Sequence, residues 1–243
     1  MAEKNVVITS EGQQDDALQK ARGFWANYSK PIIYIGSAII LAIAGWFGYQ
    51  TFIKEPKEKK ASELIFPAEN LFDKMATTGF SKDSVNLVLN GGTTADGTNI
   101  TGLLKIISGQ GGTAAANRAS YMVGASYLHI KEFDKAIKYL KDFDGNGASQ
   151  IESNKYIMLG HAYAEQKKTD DALSNYKKAA EVNDKDGTLS AAALAIAASY
   201  ADATGKSKEA KDLYIKLKDK YPTTPSVMNG DVDKYLARLG ELN

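Results

Sequence analysis

Few residues in this chain are of a type and spacing that could do chemistry. Asp142-Phe143-Asp144-Gly145-Asn146-Gly147 puts oxygen ligands at positions one, three and five of a calcium loop, with glycine at position six for the turn. Such a loop closes on a bidentate glutamate at position twelve, where this chain has Ser153; Glu152 comes one residue early, and Ser149 replaces the usual aliphatic residue at position eight. Asp, Gly and Asn also suit an ordinary turn, and the turn is the preferred reading. His129 and His161 are the only histidines and cysteine is absent, so neither a histidine triad nor a thiolate site is expected. Ser108-Gly109-Gln110-Gly111-Gly112 could cradle a phosphate before a helix, but no Walker lysine follows and no convincing strand precedes. A hydrolase using Asp142 or Asp144 with a metal is the enzymatic alternative. The preferred reading is a non-enzyme with no metal and no cofactor.

Charge narrows the partners. Lys plus Arg is 30 and Asp plus Glu is 29 over 243 residues, a balance that gives no electrostatic reason to bind nucleic acid. No small-molecule substrate is implied.

The elements that would position these residues are helices. Ser153–Asp186 carries two helical periods with a polar break near Gln166–Thr169. Leu159, Gly160 and Tyr163 mark the first, and Ala172, Tyr176 and Ala179 the second. Small residues at Gly160 and Ala172 permit close approach, and tyrosines fill the space around the contact. Gly124, Tyr127 and Ala136 stand 36 residues before Gly160, Tyr163 and Ala172, while Ala197 and Tyr200 follow 37 after the glycine and tyrosine. Ala210, Tyr214 and Pro222 complete a third copy, displaced one residue by a longer turn.

This spacing resembles the tetratricopeptide repeat, with the middle copy nearest the pattern. The first copy departs at Leu140 and Phe143, both still apolar. Three helix pairs over 113–222, closed by a helix within 223–243 bearing Val232, Tyr235, Leu236 and Leu239, would bury a continuous core. The resemblance implies a concave face lined by the first helix of each pair. Its positions fall on Arg118, Tyr121, Ala125 and Leu128, then on Asn154, Ile157, His161 and Ala164, then on Ala191, Leu194, Ala198 and Ala201. Arg118, Tyr121, Leu128, Asn154, Ile157, His161 and Leu194 are the candidate partner-binding residues. For the third copy, tight core packing is the favoured alternative.

The N-terminal third reads as a membrane anchor. Residues 31–53 hold no charge and would form a helix about 35 Å long, against roughly 30 Å of hydrocarbon. Ile39, Ile40, Leu41, Trp46 and Phe47 lie within it, and Trp25 and Tyr28 suit the headgroup layer just before it. A cleaved signal ending at Ala42-Ile43-Ala44 is the lesser alternative, because apolar residues continue to Ile53. Residues 1–30 form a tail with an interfacial helix starting near Asp15, capped by Ser10 or Asp15. Lys20, Arg22 and Lys30 precede the span, and Lys54, Lys57, Lys59 and Lys60 follow it, so basic residues do not fix its orientation. Residues 54–112 read as a linker with degenerate helix pairs. In it we expect a hinge at Pro56, a kink or a new helix start at Pro67, a short helix over Ser81–Asn90 and a surface loop over Gly91–Asn99.

A neutral tail, one uncharged span, an apolar helix pair and then repeats is similar to the layout of the single-pass ancillary subunits of the bacterial Sec translocon and to related repeat proteins of Bacteroidetes. The resemblance rests on Gly102–Gly112 leading into Ala119–Phe143 and on the repeats that follow. It implies an all-α chain, one transmembrane helix followed by an α-solenoid, with a cytoplasmic N-terminus, an inner-membrane anchor and a periplasmic repeat domain. The implied partners are translocon subunits, periplasmic chaperones or exported chains. A scaffold or assembly factor for another envelope complex is the alternative.

Overall fold

A computed structural model describes residues 11–240, with side chains from Leu18 onward. The expected unpatterned segment Met1–Ile8, the expected caps Ser10 and Asp15, and the last three residues of the C-terminal helical segment lie outside the described side chains. The chain divides into two units, the first ending at Pro56 and the second beginning at Lys57.

The first unit is dominated by one helix, α1 (Glu11–Tyr49), followed by a π-helical turn over Gln50–Lys54. It is long and apolar enough to cross a membrane, and the apolar window is unburied among the described residues. Ile39, Ile40, Leu41, Trp46 and Phe47 are all exposed, as are Trp25 and Tyr28. No helix end marks the boundary expected between tail and span, since α1 runs through Pro31.

The second unit is almost entirely helical. It comprises α2 (Glu55–Thr78) from Lys57 onward, α3 (Lys82–Asn90), α4 (Leu103–Gly109), α5 (Ala114–His129), α6 (Phe133–Asp142), α7 (Ser149–Glu165), α8 (Thr169–Glu181), α9 (Gly187–Ala203), α10 (Ser207–Lys220), α11 (Pro225–Met228) and α12 (Asp231–Arg238). Two local expectations need correction. Gly91–Asn99 is not a plain loop: β1 (Gly91–Thr93) pairs antiparallel with β2 (Asn99–Thr101), closed by a turn around Asp96 and Gly97. Of the two outcomes expected at Pro67, the new helix start is absent, because α2 continues through it. The carbonyl that Pro67 leaves without a partner belongs to Glu63, whose exposure lets water satisfy it. Residues 55–60 straddle the boundary between the two units, which falls after Pro56, where the hinge is expected. They are helical, Lys57 Nζ donates to the Gly111 carbonyl at 2.6 Å, and the Glu58 carboxylate accepts from the Ala114 N–H at 3.0 and 3.2 Å.

Three pairs, α5/α6, α7/α8 and α9/α10, follow the expected repeat, and each packs on the next. Every pair turns the same way. Lys131, Lys167 and Gly205 each take a left-handed conformation, and the next residue's N–H bonds back to the carbonyl of Tyr127, Tyr163 and Ala201 at 2.8–2.9 Å. Within the pairs, small residues set the helix separation. A methyl group on Gly124 would lie 2.6 Å from Leu140, and one on Gly160 would collide with the Tyr176 ring.

Ahead of the pairs, α2 packs on α5. Ala61, Ile65, Ala68 and Met75 recur at helical spacing and share a buried cluster with Ala115, Ala119, Met122 and Val123. Behind them, Val232 and Leu236 of α12 cover the last pair, and Tyr235 stacks on Tyr214 at 4.9 Å.

Candidate functional site

The candidate site is the face presented by α5 and α7 with their neighbours α2 and α9. At its N-terminal end Arg118 is exposed and its Nε donates to the Glu69 carboxylate at 2.7 Å, bridging α5 to α2. One turn on, the half-buried Tyr121 ring packs on Phe143 at 5.1 Å. Burial raises the Tyr121 pKa, and a hydrogen bond with Asn154 of α7 opposes that shift. A cavity of about 400 Å³ opens here, walled by Phe66, Phe72, Tyr121, Phe143 and Ile151 and edged by Glu69, Asp73 and Arg118.

Ile157 lies half-buried in the middle of the face and packs on the cluster of the last two pairs. Leu128 is half-buried beside Ile137 and Leu140, where it fills the joint between the first and second pairs.

At the other end, His161 Nδ1 lies 2.8 Å from the Tyr176 hydroxyl, and the rings meet edge to face at 5.5 Å. One edge of the imidazole is open to solvent. Partial desolvation holds its pKa below the ordinary histidine value, and the Glu165 charge pulls the other way. Tyr176 continues edge to face onto Tyr200 at 5.2 Å, and burial pushes its pKa well above the usual tyrosine range. A larger cavity, about 660 Å³, opens beside this aromatic run between Ile196, Ser199 and Tyr200 of α9 and Asp231 and Tyr235 of α12.

The expected groove residues therefore divide between two cavities, with Asn154 and Ile157 between them. Leu194 needs correction. It is 2% exposed, among Ala191, Ala198 and Ala201 in the core, and lines no accessible surface. The alanine-rich α9 lets its neighbours approach so closely that the leucine is enclosed, and Ala195, Ile196 and Ser199 face the cavities instead.

Sequence reasoning missed Phe66, Glu69, Asp73 and Ile151. One signal was present: Phe66 stands out of phase with the Ala61, Ile65 and Ala68 stripe. An apolar residue on the polar side of an amphipathic helix points to a contact.

The remaining chemical candidates have structural roles. Asp142 and Asp144 are both exposed, and the loop is held from outside by Asn117, whose Nδ2 donates to the Asp144 carbonyl at 2.7 Å and whose Oδ1 accepts from the Asp144 N–H at 2.9 Å. Gly145 is required because a β-carbon there would come within 2.5 Å of the Glu152 carboxylate. The donors at the start of α5, where a phosphate would sit, are occupied: Glu58 takes the Ala114 N–H and the Thr113 hydroxyl takes that of Ala116 at 3.1 Å. His129 stacks on Phe80 at 3.7 Å, far from any use with His161. Among the described residues no three His, Asp or Glu side chains are grouped to hold a metal ion.

Residues 191–224 match the tetratricopeptide repeat family. The match covers α9, α10 and the turn after them, so it falls on the third pair rather than the middle one that the spacing favoured. Pro222 stands 12 residues after Ala210, just past the end of α10, and the equivalent position after Ala172 is Asp184. A comparison with curated proteins returned no match. A tetratricopeptide repeat is a protein-interaction module, and protein partners follow from it in general terms.

Proposed function

We propose that this chain is a membrane-anchored interaction protein whose α1 crosses the bilayer once and whose helix pairs bind other proteins along the α2–α5–α7 face. The observation that carries the reading is a stack of three helix pairs, the third matched to the tetratricopeptide family, with open cavities beside Tyr121 and His161, in a chain with a long, unburied apolar helix. We further propose that the anchor lies in a bacterial inner membrane, with the N-terminus cytoplasmic and the repeats periplasmic. On this reading the protein is an ancillary subunit near the Sec translocon, contacting exported chains, periplasmic chaperones or translocon subunits. The layout described from the sequence supports this finer part.

A photo-crosslinking residue placed at Tyr121 or His161 in living cells tests it. Capture of translocon subunits, exported chains or periplasmic chaperones is expected. Recovery of cytosolic proteins alone overturns it, and recovery of a different envelope complex reassigns the partner while keeping the interaction role. A reporter fused after Asn243 tests the orientation, and cytoplasmic reporter activity rejects the periplasmic assignment.

A further inference from the structure

We infer that the cavity between α2 and α5 is a docking site for a partner segment carrying a bulky apolar side chain next to a lysine or arginine. The inference rests on the interaction reading above and specifies the chemistry of its partner.

The apolar half of the argument comes from exposure. Phe66 is 61% exposed and Ile151 43% exposed, although each is a large hydrophobic residue on an otherwise amphipathic helix. They come from helices 85 positions apart in the chain and yet wall one cavity of about 400 Å³. Phe72, Tyr121 and Phe143 supply its inner surface. Aromatic walls with a polar edge are the composition of interface cores, where a few buried side chains carry most of the affinity. The walls are also held in place: Tyr121 is fixed by Phe143 and Asn154, and α2 is tied to α5 by the Arg118–Glu69 pair. A preformed cavity loses little on binding.

The charged half comes from the edge. Two carboxylates, Glu69 and Asp73, lie one turn apart on α2, against one guanidinium, Arg118. Arg118 is committed to Glu69 at 2.7 Å. Asp73 makes no ion pair among the described residues and carries the surplus negative charge. A cation beside the inserted apolar group meets that charge, whereas a carboxylate there would be repelled. Neutral apolar segments would gain only the burial term.

The test uses the full chain in zwitterionic nanodiscs, with empty nanodiscs as background. Two fluorescent twelve-residue peptides share a central leucine-phenylalanine core, one flanked by lysines and the other by glutamates. Anisotropy titration is expected to show the lysine peptide binding at least about tenfold more tightly, a difference that added salt reduces. Asp73→Lys should remove most of that preference. Phe66→Ser should weaken the lysine peptide by about tenfold, as loss of an interface anchor does. Phe66 is exposed, so this variant keeps its fold, which circular dichroism checks. Equal binding of the two peptides, absence of binding, or a preference untouched by Asp73→Lys overturns the proposal. Self-association abolished by Phe66→Ser would assign the cavity to a second copy and also overturns it. Crosslinking from His161 keeps the two readings distinguishable. Partner capture that persists in Phe66→Ser cells, together with equal peptide binding, retains the interaction role and rejects this site.

Discussion

The α-carbon of Gly160 faces the ring of Tyr176 with no room for a methyl group between them. That contact sets the separation of α7 and α8, and Tyr176 in turn positions His161 and Tyr200 at the larger cavity.

Gly160→Ala should therefore destabilise the protein even though alanine favours helix. The helix gain is about 1 kcal/mol, while overpacking costs about 1–3 kcal/mol and here is directed at a buried ring that cannot swing away. The net expectation is a loss of up to about 2 kcal/mol, read from urea unfolding of the full chain in detergent. The same change at the open Gly109, which has nothing near its α-carbon, should cost far less. Equal losses at both positions would contradict the packing argument.

The repeated turn gives the opposite sign. Lys131 and Lys167 hold φ of 64° and 59°, where Gly205 serves in the third pair. A side chain in that conformation costs about 1–2 kcal/mol, part of which is offset by the larger unfolded-state freedom of glycine. Lys167→Gly should stabilise by about 0.5–1 kcal/mol and raise the thermal midpoint. A fall in the midpoint would show that Lys167 contributes through contacts; the cation over the Tyr163 ring is the neighbouring Lys168, which the change leaves in place.

Glu58 caps a helix that begins 56 residues after it, through both carboxylate oxygens. Glu58→Ala leaves the first N–H of α5 to water and removes a negative charge from a helix N-terminus. The expected loss is about 1 kcal/mol. Hydrogen exchange should quicken first at Ala114–Asn117. Unchanged exchange there would mean that Glu58 adds nothing to the cap.

Both histidines should make the fold sensitive to mild acid. Burial lowers the pKa of His129 and of His161 relative to the unfolded chain. A depressed histidine pKa means that the unfolded chain binds the proton more readily. Stability is then complete above the unfolded value of about 6.5 and is lost as pH falls below it toward the folded values. Melting curves between about pH 7.5 and 5.5 should show a larger drop for the native sequence than for a His129→Asn, His161→Asn double variant. An identical pH slope would remove the histidines from the account.

The local helices were legible in the chain because their causes are local. Gly124, Tyr127 and Ala136 recur with Gly160, Tyr163 and Ala172 at a fixed interval, and the Ser81 cap sits where a short amphipathic run begins. The candidate face was only half legible. Arg118, Tyr121 and His161 follow from their place on the first helix of a pair. Phe66 and Ile151 do not, because their meeting depends on α2 packing beside α5, a contact across some 50 residues that no period announces. Leu194 was misplaced for a related reason: a repeat position predicts a face, and burial depends on how small the neighbouring side chains are. Pro67 and the Gly91–Thr101 hairpin show the limit of breaker residues, which forbid a hydrogen bond without dictating what the surrounding chain does about it.

Two buried hydroxyls have a mechanical consequence. Ser153 Oγ of α7 donates to the Ala179 carbonyl at 2.9 Å, and Ser190 Oγ of α9 reaches those of Ala180 and Asn183 at 2.8 and 3.0 Å, so both converge on the C-terminal end of α8. The second pair is thus tied within itself and to the third, whereas the buried Ser126 hydroxyl of the first pair finds no partner among the described residues. Under load or heat the array should part at the joint behind Leu128 before it parts behind Tyr176, leaving the helices from α7 onward to come away as one stiff block.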